Sequence, residues 1–149
     1  MAMQKMTLAT VAAIGTIGLL ASVLAVLMAT QTFNNTATVK SVGVGVYSDS
    51  SCTQKVTSLN WNTLAPGDTK TQTVYVKNEG TTGILLSMTV GNWTPPGAAN
   101  YMSVTWNRQN SSLSVGSSVS ATITLSVSQN VTGVTDFAFE ITIIGTEIA

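Results

Sequence analysis

From Thr36 onward the chain alternates apolar and polar residues in short runs, with no 3.6-residue period sustained over a helix's length. Successive side chains of an extended chain point to opposite faces, so such runs build strands with one buried and one wet face. Val42, Val44 and Val46 alternate with Ser41, Gly43 and Gly45. Leu59, Trp61 and then Thr63 form a second run, closed by the turn residues Pro66-Gly67-Asp68. Val74 and Val76 make a third, broken at Asn78-Glu79-Gly80. Ile84, Leu86, Met88 and Val90 make a fourth, ended by a loop over residues 92–100 that holds Pro95-Pro96-Gly97. Met102, Val104 and Trp106 follow, then Val119, Ala121, Ile123, Leu125 and Val127. The last run sets Phe137, Phe139, Ile141 and Ile143 on one face and places Glu140 on the opposite, exposed one.

About seven strands at this spacing predict an all-β fold, an immunoglobulin-like (pilin-like) β-sandwich of two antiparallel sheets over residues 40–149. The cysteine pair that brackets the core Trp of antibody domains is absent, because Cys52 is the sole cysteine. The likeness is therefore architectural.

Upstream, Lys5 precedes 22 uncharged residues, 8–29, rich in Ala, Leu, Val and Gly. A basic start before an apolar run reads as a secretory signal over residues 1–25, with small residues at Ala21, Ser22, Ala25 and Ala29 offering cleavage positions between 21 and 29. The same run is long enough to span a bilayer as a retained helix.

Composition narrows the chemistry. Six Lys+Arg balance six Asp+Glu, so there is no basic stripe for phosphates and nucleic acid is not an expected partner. The absence of His removes imidazole acid/base chemistry and His-ligated metals, and one Cys makes neither an internal disulfide nor a thiolate cage. With 24 Thr and 16 Ser among 149 residues the polar surface is largely hydroxyl, and a nucleophile among them lacks a base at a recognisable spacing. The expectation is a protein that is not an enzyme and takes no cofactor or metal. Lys40, Lys70 or Lys77 with Glu140 would be the ingredients of an isopeptide bond, which the sequence does not bring together. Asp49 reads as part of a solvated loop, and Cys52 as a small residue near a strand end.

Four acceptor patterns for N-linked glycans stand out: Asn34-Asn35-Thr36, Asn92-Trp93-Thr94, Asn110-Ser111-Ser112 and Asn130-Val131-Thr132. The last three fall in predicted turns, where a sugar projects into solvent. Between signal and domain, Leu27, Ala29, Phe33, Ala37 and Val39 are apolar while Thr30, Thr32, Asn34, Thr36 and Thr38 are polar. This half-buried strand, residues 26–39, is either the first strand of the chain's own sandwich or a donor strand that fills a groove in a neighbouring copy. The second reading predicts a homopolymer, since a head-to-tail contact that does not close on itself makes a filament.

Leu64-Ala65-Pro66-Gly67-Asp68, then Thr73-Val74-Tyr75-Val76-Lys77-Asn78-Glu79-Gly80 and Ile84-Leu85-Leu86, resemble the corresponding segment of TasA/camelysin-type biofilm fibre proteins. With its hydrophobic leader, Ser/Thr/Asn-rich sandwich and sequons, the chain also resembles the glycosylated thread and bundling-pilus subunits of thermophilic archaea. The resemblance implies a secreted, cell-surface filament for adhesion or biofilm formation, exported by secretion machinery, carrying N-linked glycans and joined by N-terminal donor strands. The alternatives are a type IV pilin or archaellin-like subunit with its N-terminal helix retained, and a membrane-anchored sandwich that does not polymerise. The prepilin pattern of a basic residue followed by a small one is missing, since Met6 follows Lys5.

Overall fold

The computed structural model describes residues 33–149, apart from the side chains of residues 33, 34 and 40–42. The signal segment and the donor positions Leu27 and Ala29 lie outside the described residues, as do the side chains of Phe33 and Asn34. The strands are β1 (Phe33–Val42), β2 (Gly45–Tyr47), β3 (Ser58–Leu64), β4 (Thr69–Lys77), β5 (Ile84–Thr94), β6 (Met102–Trp106), β7 (Ser112–Leu113), β8 (Ser118–Val127) and β9 (Phe137–Glu147). A single 3-10 turn, Pro96–Asn100, precedes β6. The strands form two sheets, ordered β3-β1-β9-β5-β7 and β2-β4-β8-β6. The expected all-β sandwich is what the chain folds into.

The inward positions are those the alternation marks. Val74, Val76, Ala121, Ile123, Leu125, Ile141 and Ile143 are fully buried between the sheets, each large aliphatic contributing about 1.5–3 kcal/mol by leaving water. Their hydroxyl-bearing neighbours on β8, Thr122 and Thr124, stay half-buried on the outer face. Glu140 also takes the outer face of β9, but it is half-buried there rather than exposed.

Two bulges change the expected parity. Between Asn35 and Thr36 of β1 the partner on β3 jumps from Asn62 to Asn60, and Asn62 takes a positive φ of 54°. The extra residue turns Leu64 rather than Thr63 into the core, where Leu64 is fully buried. On β5 the pairing with β9 passes from Gly91↔Glu140 to Thr94↔Ala138, one residue too many, with Asn92 at φ 52°. Trp93 thereby swings inward and stacks on Phe139 at 4.5 Å between ring centroids. The strand therefore runs on through residue 94, where the sequence predicts a loop from residue 92.

The N-terminal strand is the other departure. β1 pairs antiparallel with β3 and parallel with β9, between those two strands of the five-stranded sheet, so residues 33–39, ahead of the expected domain start at residue 40, already belong to the chain's own sandwich. Gly43 ends it at φ 72°, where a Cβ would meet the Gly145 carbonyl oxygen at 2.7 Å. Only glycine fits that turn, which carries the chain across to β2 in the other sheet.

Candidate functional site

Of the tail positions singled out above, Ala37 and Val39 lie in β1 at 0% and 7% exposure, facing the core of their own sandwich. Half-burial along a strand reveals that a sheet covers it, but not which copy owns that sheet. Pairing places Phe33 opposite Leu64 and Asn35 opposite Phe137, so the chain enters at the end of the sandwich where β3 stops and β9 starts. Asn35 is buried there, its Nδ2 donating to the Asn62 carbonyl at 3.5 Å.

The residues that carry the family resemblance turn out to lock turns. Asp68 accepts from the Ala65 N–H at 2.8 Å, while its own N–H donates to the Ala65 carbonyl at 3.0 Å, closing the Pro66-Gly67 turn. Asn78 is fully buried: Nδ2 donates to the carbonyls of Thr82 (2.8 Å) and Leu113 (3.1 Å), and Oδ1 accepts from Gly80 N–H (2.9 Å). One amide thus ties the end of β4 to the following loop and to β7.

The described sequon asparagines, Asn92, Asn110 and Asn130, are all exposed. Asn92 sits on the β5 bulge, whereas Asn110 follows β6 in a turn at φ 59° and Asn130 follows β8. Asn110 and Asn92 both take the left-handed backbone that Asn tolerates better than most side chains, so local geometry by itself favours Asn at both positions. Asn34, on β1, pairs with Thr63 of β3.

The titratable groups hold structure. Asp49 accepts from the N–H groups of Thr53 (3.0 Å) and Gln54 (2.7 Å) and from the Thr53 hydroxyl (2.9 Å), so the loop after β2 is tied, not merely solvated. Those donors, the Gln54 N–H foremost, hold its carboxyl below the usual aspartate range. The Tyr47 hydroxyl donates to Glu79, which is 3.8 Å from Lys55 Nζ, and that hydrogen bond is the main reason the phenol is pushed up to about 12. Cys52 is half-buried in the same loop at φ 53°. For the isopeptide ingredients, Lys70 and Lys77 lie on β4, in the sheet opposite Glu140; Lys40 alone lies on a strand adjacent to β9, pairing with Thr142. Among the described residues no three Asp, Glu, Cys or His side chains gather as a metal site, and no helix is long and apolar enough to cross a membrane.

What the alternation does not reveal is how the two sheets meet at their sides. On one side, Lys70 Nζ donates to the carbonyls of Trp61 and Thr63, and Gln72 Nε2 donates to the Asn60 carbonyl at 2.9 Å, so side chains of β4 cap the outer edge of β3. On the other side, Met88 and Val90 of β5 and Val104 and Trp106 of β6 point inward yet remain half-buried. A groove of about 240 Å³ lies there, lined by Met88, Val104, Thr105, Trp106 and Gln109.

No protein-family model matches the chain, and no curated protein matches it at a significant level.

Proposed function

We propose that the chain is the structural subunit of a secreted, glycosylated extracellular filament, related to TasA/camelysin-type fibre proteins and archaeal threads. Subunits join head to tail by donor-strand complementation, and the filament serves adhesion or biofilm formation. The observation that carries this reading is the continuity of one alternating stretch into β1. Its second half, Ala37 and Val39, is buried in the chain's own core, while Leu27 and Ala29 continue the same apolar phase upstream of the first described pair, Phe33↔Leu64. The first half supplies the donor strand and β1 its root. An apolar strand that leaves one folded domain and enters the next gives a polymer without an energy source outside the cell.

The rest of the surface suits that role. Its hydroxyl-rich faces carry few charges, and exposed Asn92, Asn110 and Asn130, with Asn34 beside the tail, offer attachment points for glycans. Identical subunits are the partners in the fibre, the secretion machinery is the partner during export, and neither a cofactor nor catalysis enters.

The test is the N-terminal sequence and intact mass of the native protein before and after glycan removal, with negative-stain microscopy of the same material. The expected result is a start between Ser22 and Val26, which leaves Leu27 and Ala29 on the chain, with sugar mass on several Asn and thin fibres that vanish when residues 22–31 are deleted. A start at Met1 or Met6 would overturn the reading in favour of a retained helix.

A further inference from the structure

We propose that the open seam between β5 and β6 is the acceptor groove, and that its occupant is residues 26–30 of a second copy. This rests on the donor-strand reading above and gives it an address.

The seam lacks a strand's worth of backbone partners. β6 is the last strand of its sheet, and on the facing sheet β7 covers β5 only at Ile84 and Leu85. The following turn holds Leu86, whose N–H donates to the Ser111 carbonyl (2.9 Å) and whose carbonyl accepts from Asn110 N–H (2.8 Å). Beyond Leu86, β5 has no strand beside it on that edge among the described residues. On β6 the odd positions face β8, because Asn107 N–H donates to the Thr122 carbonyl and the Tyr101 carbonyl accepts from Ser128 N–H. Antiparallel ladders alternate, so the peptide groups of Met102, Val104 and Trp106 face the open edge.

A single side chain occupies the place where a strand's peptide group would lie. Gln109 Oε1 accepts from the Met88 N–H of one sheet (3.1 Å) and from Trp106 Nε1–H of the other (2.9 Å), although Gln109 itself is exposed. A carboxamide bridging both walls mimics the backbone that an inserted strand would bring.

The occupant follows from size and charge. β6 is five residues long, roughly 17 Å at the strand rise. Residues 26–30, Val-Leu-Met-Ala-Thr, match that span residue for residue, and Gln31-Thr32 leaves a polar link to β1 at Phe33. Neither the segment nor the groove lining carries a charge. The one cation beside it, Arg108, is turned onto the Ser120 carbonyl at 2.7 Å. The donor would complete the edge ladder and cover Met88, Val90, Val104 and Trp106.

Disulfide trapping in fibres of the full secreted chain tests this. In a Cys52→Ser background, Leu27→Cys is combined with Val104→Cys on one wall of the groove, with Met88→Cys on the other, or with Asn60→Cys on the outer edge of β3. The expected result under mild oxidation is a ladder of covalent multimers for the two groove pairs, at least about tenfold stronger than for Asn60→Cys, because a docked strand holds the thiols at high effective concentration. The two groove positions lie on different strands, so loss of folding in one leaves the other readable. Fibres that form but give no ladder from either groove pair, or cross-link through Asn60→Cys, would overturn the groove while leaving the filament standing. A Cys52→Ser parent that makes no fibres would overturn both.

Discussion

Where β3 faces β4, the sandwich is sealed: Trp61 and Leu64 are fully buried behind an edge whose carbonyls are taken up by Lys70 and Gln72. Where β5 faces β6, inward-pointing Met88, Val90, Val104 and Trp106 stay half-wet, and one exposed glutamine bridges the walls. The sequence patterns on the two sides are alike, with a Trp in each, so periodicity does not produce the difference. It comes from what covers the edges. A lysine laid across a strand's open edge blocks the addition of another strand, whereas an uncharged, half-buried edge invites one.

The largest effect expected from this contrast is between the two tryptophans. Trp61 has no exposed surface and stacks on Phe139 at 6.4 Å, so Trp61→Ala should destabilise the sandwich by about 3–5 kcal/mol, the range for an aromatic truncated in a packed core. Trp106→Ala removes a side chain that is only half-buried and should lower stability by about 1–2 kcal/mol. Urea unfolding of the two variants measures both. Equal losses would mean that the two sides are equally packed, and the contrast would fail.

A smaller effect separates the edge caps. Lys70→Met keeps the stem but leaves the Trp61 and Thr63 carbonyls without their donor, which should cost about 1 kcal/mol at this half-exposed position and make the variant chains associate through β3. Gln109→Ala should cost less than about 1 kcal/mol, since its partners can turn to water, and should redden Trp106 emission as the indole N–H is released. Light scattering and tryptophan fluorescence on the two variants read these outcomes. Aggregation of the Gln109 variant without aggregation of the Lys70 variant would reverse the assignment of blocked and open edges.

How far the sequence speaks differs from level to level. Period-two alternation locates β4, β6, β8 and β9 and their inward faces, because a strand between two sheets must sort its residues by burial. It misplaces Thr63 against Leu64 and ends β5 three residues early, since a bulge adds one residue and flips parity without any change in residue type; the asparagines at positive φ, Asn62 and Asn92, are its only trace. β7 has two residues, too few to show a period, and is held in place through Asn78 rather than by its own pattern. The parallel pairing of β1 with β9 joins the two ends of the described chain, and no local signal encodes so distant a contact. The open seam is invisible for a related reason: Met88 and Val104 read as core residues, and only the strand order shows that their edges lack neighbours.

The smallest effect at neutral pH, and the one that distinguishes the sides by titration, belongs to Tyr47. It lies on β2, the edge of the four-stranded sheet away from the groove, and its neighbours are Glu79, Lys55, Asp49 and Cys52. The hydrogen bond to Glu79 favours the neutral phenol, so its pKa is raised from 10.0 to about 12. In that window the folded chain keeps a proton that the unfolded chain releases, so stability falls as pH rises; the contribution is whole below pH 10 and gone above about 12. Tyr47→Phe should therefore flatten the alkaline decline of the urea midpoint between those values. The groove lining of Met88, Val104, Thr105, Trp106 and Gln109 has no group that titrates there, so Gln109→Ala should leave the alkaline slope unchanged. A slope that follows Gln109 instead of Tyr47 would show that alkali opens the seam between β5 and β6, contrary to the division between a side held by charged and hydrogen-bonded caps and a side left for a strand.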